Sequence, residues 1–253
     1  MPKSQDRWTR IALYYAIALA GAFAFRAYSQ TMPVPTNRDN VWLFALGQLE
    51  GIGPFIGAIV VALAFKPARI LTLWGPHRGL VMATCIWMVL VIGSVGIANP
   101  YAINPHLFGA MSAIDILVYA MLEEAGWRGY LQGEFGDWPR MRRYVVVGAL
   151  WYAWHLTFLD HNGLGSELLR LAILVGASIG IGLVADRTGA IMAAAGCHAL
   201  GNILWFSSEF RTLVSSGDRQ LMAAVCAVGI AAAFVAIRAR DRREAARRIP
   251  RAG

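Results

Sequence analysis

Long apolar segments, separated by short and often basic polar segments, dominate the chain. A helix needs about 20 mostly apolar residues to cross the roughly 30 Å hydrocarbon core of a bilayer. Eight segments meet or approach this length, and we predict a membrane-spanning helix in each. They cover residues 9–28, 41–65, 80–98, 107–131, 144–159, 168–185, 190–207 and 220–237. The expected fold is therefore all-α: a polytopic membrane helix bundle that forms a single integral membrane domain over residues 1–253.

Three of these segments carry further information on local structure. The second is interrupted by Glu50, Gly51, Gly53 and Pro54, which indicates a broken or bent helix. The sixth and seventh are separated only by residues 186–189, which predicts a tight turn between two helices.

Lysine and arginine are distributed unevenly between the two predicted sides. With a cytoplasmic N-terminus, the cytoplasmic segments hold 17 of them and the opposite loops hold five, while Arg128 lies within a span. Cytoplasmic loops carry the excess of basic residues in membrane proteins, so both termini are predicted to be cytoplasmic. The basic tail, residues 238–253, is interpreted as an anchor on anionic lipid.

Composition supports a bilayer location and argues against other partners. Charged residues make up 15% of the chain, and the mean hydropathy is +0.51. The net charge of +8 does not form a basic face with interleaved aromatic residues, so no nucleic-acid partner is expected. Cys85, Cys197 and Cys226 lie in apolar segments without C-x-x-C spacing, as small buried residues do. The richness in arginine and alanine indicates a GC-rich bacterium, and hence its cytoplasmic membrane. No small-residue cleavage site follows the first apolar run, so we expect a retained first span rather than a removed signal peptide.

Ionisable groups inside a bilayer are costly, at roughly 2.5–3.5 kcal/mol each on insertion scales, and they are rare without a partner or a task. The strongly polar residues of the predicted spans are Glu50, Asp115, Glu123, Glu124, Arg128, His155, His198 and Asn202. At about 1.5 Å per residue, Glu123 and His198 lie roughly 12 Å from the cytoplasmic end of their helices. His155 and Asn202 lie roughly 16 and 18 Å from it. Four polar groups from three helices are therefore predicted to share one layer.

The spacing of these residues along each helix predicts which side chains share a face. Glu124 and Arg128 are four residues apart and are predicted to pair on one face. Glu123 lies about 100° around the helix and is free to face a different neighbour. His198 and Asn202 also share a face. The remaining groups are given simpler roles: Glu50 and Asp115 are interpreted as structural, and His77, His106 and His161 as solvated.

Three motifs in this region resemble one family. Glu-Glu-x-x-x-Arg from Glu123, aromatic-x-x-x-His from Trp151 and His-x-x-x-Asn from His198 are similar to the CPBP intramembrane proteases. This is the type II CAAX prenyl endopeptidase and bacteriocin-processing family, also called the abortive-infection family. The resemblance covers about residues 107–206. Trp151 stands where the family usually has Phe, which bears on pocket shape and substrate choice.

The resemblance implies hydrolysis of a peptide bond within the membrane. Glu123 with His155 would activate a water molecule, His198 and Asn202 would hold the oxyanion, and Arg128 would fix Glu124. The partners would be a membrane-associated protein or peptide and the lipid bilayer, and prenylated proteins are not expected in a bacterium. A mechanism that requires no cofactor is favoured. The alternative is a zinc site of Glu123, His155 and His198, a His₂Glu set with an open position for water.

Two other function classes remain compatible with the residues. Acidic and histidine side chains at mid-membrane are also what a proton-coupled transporter uses. Against it, the acidic motif of the fourth segment has no counterpart in the first half of the chain, as an inverted repeat would require. A non-catalytic membrane immunity or scaffold protein is the other alternative, and the completeness of the three motifs argues against it.

Overall fold

The computed structural model describes residues 4–33, 46–65, 71–157 and 163–247, and helices make up most of them. Within this part of the chain the α-helices are α1 (Ser4–Ser29), α2 (Ile52–Ala64), α3 (Arg78–Val95), α4 (Pro105–Glu124), α5 (Arg140–His155), α6 (Leu164–Thr188), α7 (Ile191–Gly201), α8 (Ser208–Leu213) and α9 (Ser216–Arg247). A 3₁₀ turn, Gly47–Gly51, leads into α2. The interruption predicted in the second segment is this turn.

Two helices continue into π-helical turns. After Glu124, α4 runs on as a π-helix over Ala125–Leu131 and ends with the turn Gln132–Glu134. After Gly201, α7 continues as a π-helix over Asn202–Phe206. π-Helical turns are rare and occur frequently at functional sites, because the wider turn changes which side chains share a face.

The all-α prediction is confirmed for the described residues, where the extended pairing is limited to an isolated bridge between Thr72 and Ala190. In the part of the chain that the structure describes, five helices are long and apolar enough to cross a membrane: Asp6–Ser29, Arg78–Val95, Pro105–Glu134, Leu164–Thr188 and Ser216–Arg247. Two shorter apolar helices, Leu49–Ala64 and Ile191–Phe206, coincide with two further predicted spans. The remaining predicted span coincides with α5, which has 16 residues and begins with basic side chains. A count of eight spans and cytoplasmic termini stay predictions.

The turn between the sixth and seventh predicted spans is shorter than expected. Residues 186–188 were predicted to form it, but they complete α6, where the Thr188 hydroxyl donates to Val184 O at 2.8 Å. Gly189 then takes the left-handed conformation with φ +62°, which glycine adopts without steric cost. The chain therefore reverses over Gly189 and Ala190 alone.

Other differences lie at the ends of the predicted spans. The last helix, α9, continues to Arg247, so much of the basic tail is helical. The short polar helix α8 has no counterpart among the predicted spans. Residues 41–45 and 158–159 of two predicted spans lie outside the described residues, and so does His161.

The helix α4 occupies the centre of the bundle, where it packs against α2, α3 and α7. One hydrophobic core is formed by α1, α2, the π-helix 125–131, α5, α6 and the first turns of α7, and Met121 near the end of α4 packs against it. A second core is formed by α3, the first half of α4, α7 and α9. Because α4 and α7 contribute to both cores, polar groups on them lie between the two.

Polar contacts join segments that were predicted to lie on the same side of the membrane. On the predicted cytoplasmic side, Arg10 donates to both carboxylate oxygens of Glu134, at 3.1 and 2.7 Å. At the opposite end, the Arg26 guanidinium contacts Glu50 at 3.0 Å and the hydroxyl of Thr157 at 3.0 Å. These contacts tie α1 to the end of α4, to the 3₁₀ turn and to the end of α5. The structural role predicted for Glu50 agrees with this contact.

Glu209 fastens α8 to α4 through a hydrogen bond of 2.6 Å from the Ser112 hydroxyl to its carboxylate. Glu209 lies between the apolar helices, outside the segments that are long and apolar enough to span a bilayer. Burial removes its carboxylate from water and raises the pKa of Glu209 from 4.5 to about 7, while the Ser112 hydrogen bond opposes the rise. The Glu209 carboxyl therefore keeps its proton up to a higher pH in the folded protein than in the unfolded chain.

We predict that Glu209 makes the folded protein less stable as pH rises. The folded state binds the Glu209 proton more tightly than the unfolded state, so its contribution is complete below pH 4.5 and is lost as pH rises to about 7. The measurement is the free energy of unfolding in detergent across this range, for the protein and for Glu209→Gln. The difference between the two should change over this interval, and a constant difference would contradict the prediction.

Candidate active site

Glu123 and Glu124 form the last turn of α4, and both side chains are fully buried. The carboxylate of Glu124 accepts a hydrogen bond of 2.8 Å from Nη1 of Arg128, which is also buried. The predicted pair four residues apart is therefore confirmed. Neither side chain contacts solvent. The two opposite charges compensate each other, and either charge alone would be strongly disfavoured inside the bundle.

Glu124 has a second partner that its position in the chain does not indicate. Nδ1 of His198, on α7, lies 2.9 Å from the same carboxylate oxygen, Oε1. A carboxylate accepts, so Nδ1 carries the hydrogen in this contact. Glu124 therefore joins Arg128 on its own helix to His198 on α7, and it fixes the orientation of the imidazole ring.

Glu123 faces a different neighbour, as predicted. Its Oε2 accepts a hydrogen bond of 2.8 Å from the indole Nε1 of Trp151 on α5. Among the described residues, its Oε1 has no hydrogen-bond partner. The family resemblance paired Glu123 with His155, whereas the direct contact is with the residue one helical turn before that histidine.

His155 ends α5, and its side chain is 5% exposed. Its Nδ1 lies 2.8 Å from the carbonyl oxygen of Trp151, one turn earlier. Because a carbonyl accepts, Nδ1 is the protonated nitrogen, and in the neutral ring Nε2 carries the lone pair. This tautomer makes Nε2 of His155 a proton acceptor.

The indole ring of Trp151 lies at the centre of the cluster. Its centroid is 5.3 Å from the ring of His155 and 5.0 Å from the ring of His198, both edge-on. The guanidinium carbon of Arg128 lies 4.7 Å from the centroid of the indole ring. Together with the hydrogen bond to Glu123, these contacts bring groups from α4, α5 and α7 around one side chain.

Asn202 is the remaining predicted site residue. It follows His198 by one turn, begins the second π-helix and is 5% exposed. The structure thus places it in the buried part of α7, on the helix that carries His198. Its predicted role at an oxyanion belongs with the proposed mechanism below.

The other polar residues lie apart from this cluster. Asp115 is half-buried, two turns before Glu123 on α4. His106 is exposed, as predicted, and donates from Nδ1 to Gly93 O at 2.9 Å. The prediction for His77 is wrong, because its side chain is only 13% exposed and contacts Asp241 of α9 at 3.0 Å. The extension of α9 beyond its predicted end explains the difference.

The donors proposed for zinc do not form a ligand set. In the described part of the chain, no group of three or more His, Cys, Asp or Glu side chains is arranged to hold a metal ion. Glu123 is directed to Trp151, and Nδ1 of His198 is directed to Glu124. The residues therefore do not fit the His₂Glu site in this arrangement, and no step of the proposed chemistry passes through a metal.

The surroundings of the cluster are apolar and closely packed. A Cβ atom added to Gly51, in the 3₁₀ turn before α2, would lie 3.3 Å from Cγ of Glu123. A Cβ on Gly126 would lie 2.6 Å from atoms of Pro54 and Tyr14, so the first π-helix also contacts α1 and α2 closely. Electrostatic interactions are stronger in such a dry environment than in water.

Sequence reasoning missed two contributors. Trp151 was noted only as an aromatic residue, although its position one turn before His155 and its N–H donor were visible in the sequence. Tyr119 was not noted, yet it lies one turn before Glu123 on α4, with its ring 6.1 Å from the ring of His198. Its spacing of four residues from Glu123 was the available signal.

A buried layer of carboxylates and imidazoles between the helices of an apolar bundle marks a candidate functional site. Residues 105–204 match the family model described as type II CAAX prenyl endopeptidase Rce1-like. The matched segment runs from the start of α4 to the second π-helix and includes all six candidate residues. The resemblance to the CPBP intramembrane proteases is thereby confirmed for this segment, about two fifths of the chain. No curated protein matches the chain.

We predict that Arg128→Met destabilises the fold by about 3–5 kcal/mol, because it leaves Glu124 buried without its cation. The free energy of unfolding in detergent measures this effect. Arg7→Met is the matched control, because Arg7 pairs with Asp137 at 2.9 Å where both side chains contact solvent. The control should change stability little, and equal losses in the two variants would contradict a special role for the buried pair.

Proposed function

We propose that the protein is an intramembrane endopeptidase that hydrolyses a peptide bond of a membrane-associated protein or peptide. The observation that carries this function is the state of Glu123. Its carboxylate is fully buried, one oxygen is held by a neutral donor, and the other oxygen has no hydrogen-bond partner among the described residues. A carboxylate held in this way is suited to act as a general base.

In the proposed reaction, Nε2 of His155 accepts a hydrogen bond from a water molecule and orients it. Glu123 takes the other proton of this water as its oxygen attacks the carbonyl carbon of the substrate. The tautomer of His155 supports this role, since Nδ1 is engaged with a backbone carbonyl and Nε2 accepts. The proton then passes to the nitrogen of the leaving amine as the tetrahedral intermediate collapses. The products are a new carboxyl terminus and a new amino terminus.

His198 and Asn202 are the proposed donors to the oxyanion, and preorganised donors in a dry site stabilise such a charge strongly. Nδ1 of His198 already donates to Glu124, so donation from Nε2 requires the imidazolium form. Arg128 shares Glu124 with His198 and holds the carboxylate in place.

We place the enzyme in the bacterial cytoplasmic membrane as a multi-pass protein with eight spans and cytoplasmic termini. Under that orientation Glu123 lies in the cytoplasmic half of the bilayer. The substrates are then peptides or small membrane proteins whose scissile bond reaches this depth. No cofactor is required in this mechanism.

We predict that Glu123→Gln abolishes cleavage while the fold is retained, because the amide preserves shape and hydrogen bonding but cannot take a proton. The measurement is comparative proteomics of native membranes that carry either the protein or Glu123→Gln. At least one membrane peptide should accumulate uncleaved with the variant. Its cleaved form should appear only with the unsubstituted protein.

Glu209→Gln is the matched control, since it also replaces a buried glutamate by glutamine but lies on α8, away from the cluster. Its membranes should show normal cleavage. Identical peptide profiles for all three membranes would contradict an endopeptidase and favour a non-catalytic role. Stoichiometric zinc that is lost from the purified protein together with activity on chelation would contradict the metal-free mechanism.

A further inference from the structure

We propose that Trp151 is a positioning residue for Glu123, and that its indole N–H fixes the carboxylate with one oxygen directed to the reacting water. This role rests on the proposed endopeptidase function. The carrying observation is the hydrogen bond of 2.8 Å from Trp151 Nε1 to Glu123 Oε2, between side chains that are 2% and 0% exposed.

The indole N–H of Trp151 differs from the Arg128 guanidinium, the partner of Glu124, because the indole carries no charge. The carboxylate of Glu124 is paired with the cation of Arg128, and Nδ1 of His198 contacts the same oxygen. The indole N–H orients the Glu123 carboxylate without bringing a compensating full charge. The two adjacent glutamates therefore differ in their partners, and this difference makes Glu123 the base of the pair.

The indole is itself held in place. The rings of His155 and His198 pack edge-on against it, and the Arg128 guanidinium lies against it at 4.7 Å. A side chain contacted in this way cannot change rotamer without displacing a functional group. The direction of its N–H, and with it the position of the Glu123 carboxylate, is consequently fixed before substrate binds.

The backbone of Trp151 contributes a second constraint. Its carbonyl oxygen accepts the hydrogen on Nδ1 of His155, at 2.8 Å. One residue thus orients the carboxylate through its side chain and selects the histidine tautomer through its main chain. A substitution at this position removes the first effect and leaves the second, so the two can be separated by experiment.

The test is Trp151→Phe, which keeps an aromatic ring and removes the N–H donor. The probe is the membrane peptide that accumulates with Glu123→Gln, synthesised with a quenched fluorophore and reconstituted with the purified protein in proteoliposomes. We expect kcat to fall about 10- to 100-fold, the rate equivalent of a hydrogen bond to a charged group. We expect KM to stay within about twofold, because the lost contact is not made to substrate.

Trp154→Phe is the matched control. Trp154 is fully buried on the same helix, and its Nε1 donates to the backbone oxygen of Ala18 at 3.1 Å. This variant also loses one buried indole hydrogen bond, but the lost contact is to α1. Phenylalanine keeps an aromatic ring against the ring of His155, whose centroid lies 5.1 Å from that of Trp154. The free energy of unfolding of this variant should fall, with kcat unchanged.

A second measurement does not depend on activity. The effect of Trp151→Phe on the free energy of unfolding is compared in the protein and in Glu123→Met, where the carboxylate is absent. A smaller effect in the Glu123→Met background demonstrates the contact, since coupled residues are non-additive. Additive effects, or an unchanged kcat in Trp151→Phe, would overturn the positioning role.

The endopeptidase function and the role of Trp151 can be tested separately. If the unsubstituted protein cleaves no membrane peptide, the endopeptidase function fails and the catalytic role of Trp151 fails with it, although the coupling persists. If the protein cleaves the probe and Trp151→Phe cleaves it equally fast, only the role of Trp151 fails.

Discussion

The contact that the rest of the site depends on is the buried ion pair between Glu124 and Arg128, extended by His198. Charges in a low-dielectric bundle persist only when they are paired and hydrogen-bonded, and removing one partner costs about 3–5 kcal/mol. That is a large share of the roughly 5–15 kcal/mol by which native proteins are stable. The pair therefore restricts α4 and α7 to one relative position, because the Nδ1 of His198 must reach Glu124.

The contact among Glu124, Arg128 and His198 lies between the two hydrophobic cores. This position explains how an apolar bundle can hold a layer of polar side chains. The two hydrophobic cores meet at α4 and α7, and each of these helices contributes residues to both. On α4 and α7, the functional side chains lie near the points where α-helical turns give way to π-helical turns, directly after Glu124 and at Asn202. The local widening accommodates Arg128 on the first helix and Asn202 on the second without exposing either to lipid.

Much of this arrangement could be predicted from local spacing. The apolar lengths indicated the helices, and the four-residue interval indicated the Glu124–Arg128 pair. The direction of Glu123 away from that pair followed from the 100° rotation per residue. What local spacing does not contain is the register between helices. Glu124 and His198 are 74 positions apart, and their contact depends on how α4 and α7 pack.

Neither the π-helical turns nor the role of Trp151 was predicted, because both depend on contacts between helices. Nothing in the residues 125–131 distinguishes a π-helix from an α-helix. The close approach of Gly126 to Pro54 and Tyr14 depends on how this segment packs against α1 and α2. Trp151 could be placed on the face of His155, yet the partner of its N–H lies on another helix. The turn at Gly189 was predicted too long, because the side chain of Asp186 is held within the bundle by Tyr144 and Gln132.

The central claim is that two adjacent buried glutamates have separate tasks, Glu123 in chemistry and Glu124 in holding the site. The most direct measurement compares Glu123→Gln and Glu124→Gln in one preparation, following both the free energy of unfolding and the cleavage of reconstituted membrane peptide. The account predicts that Glu123→Gln retains stability and loses cleavage, whereas Glu124→Gln loses stability because Arg128 is left unpaired. Equal losses of stability in the two variants, or cleavage by Glu123→Gln, would contradict it.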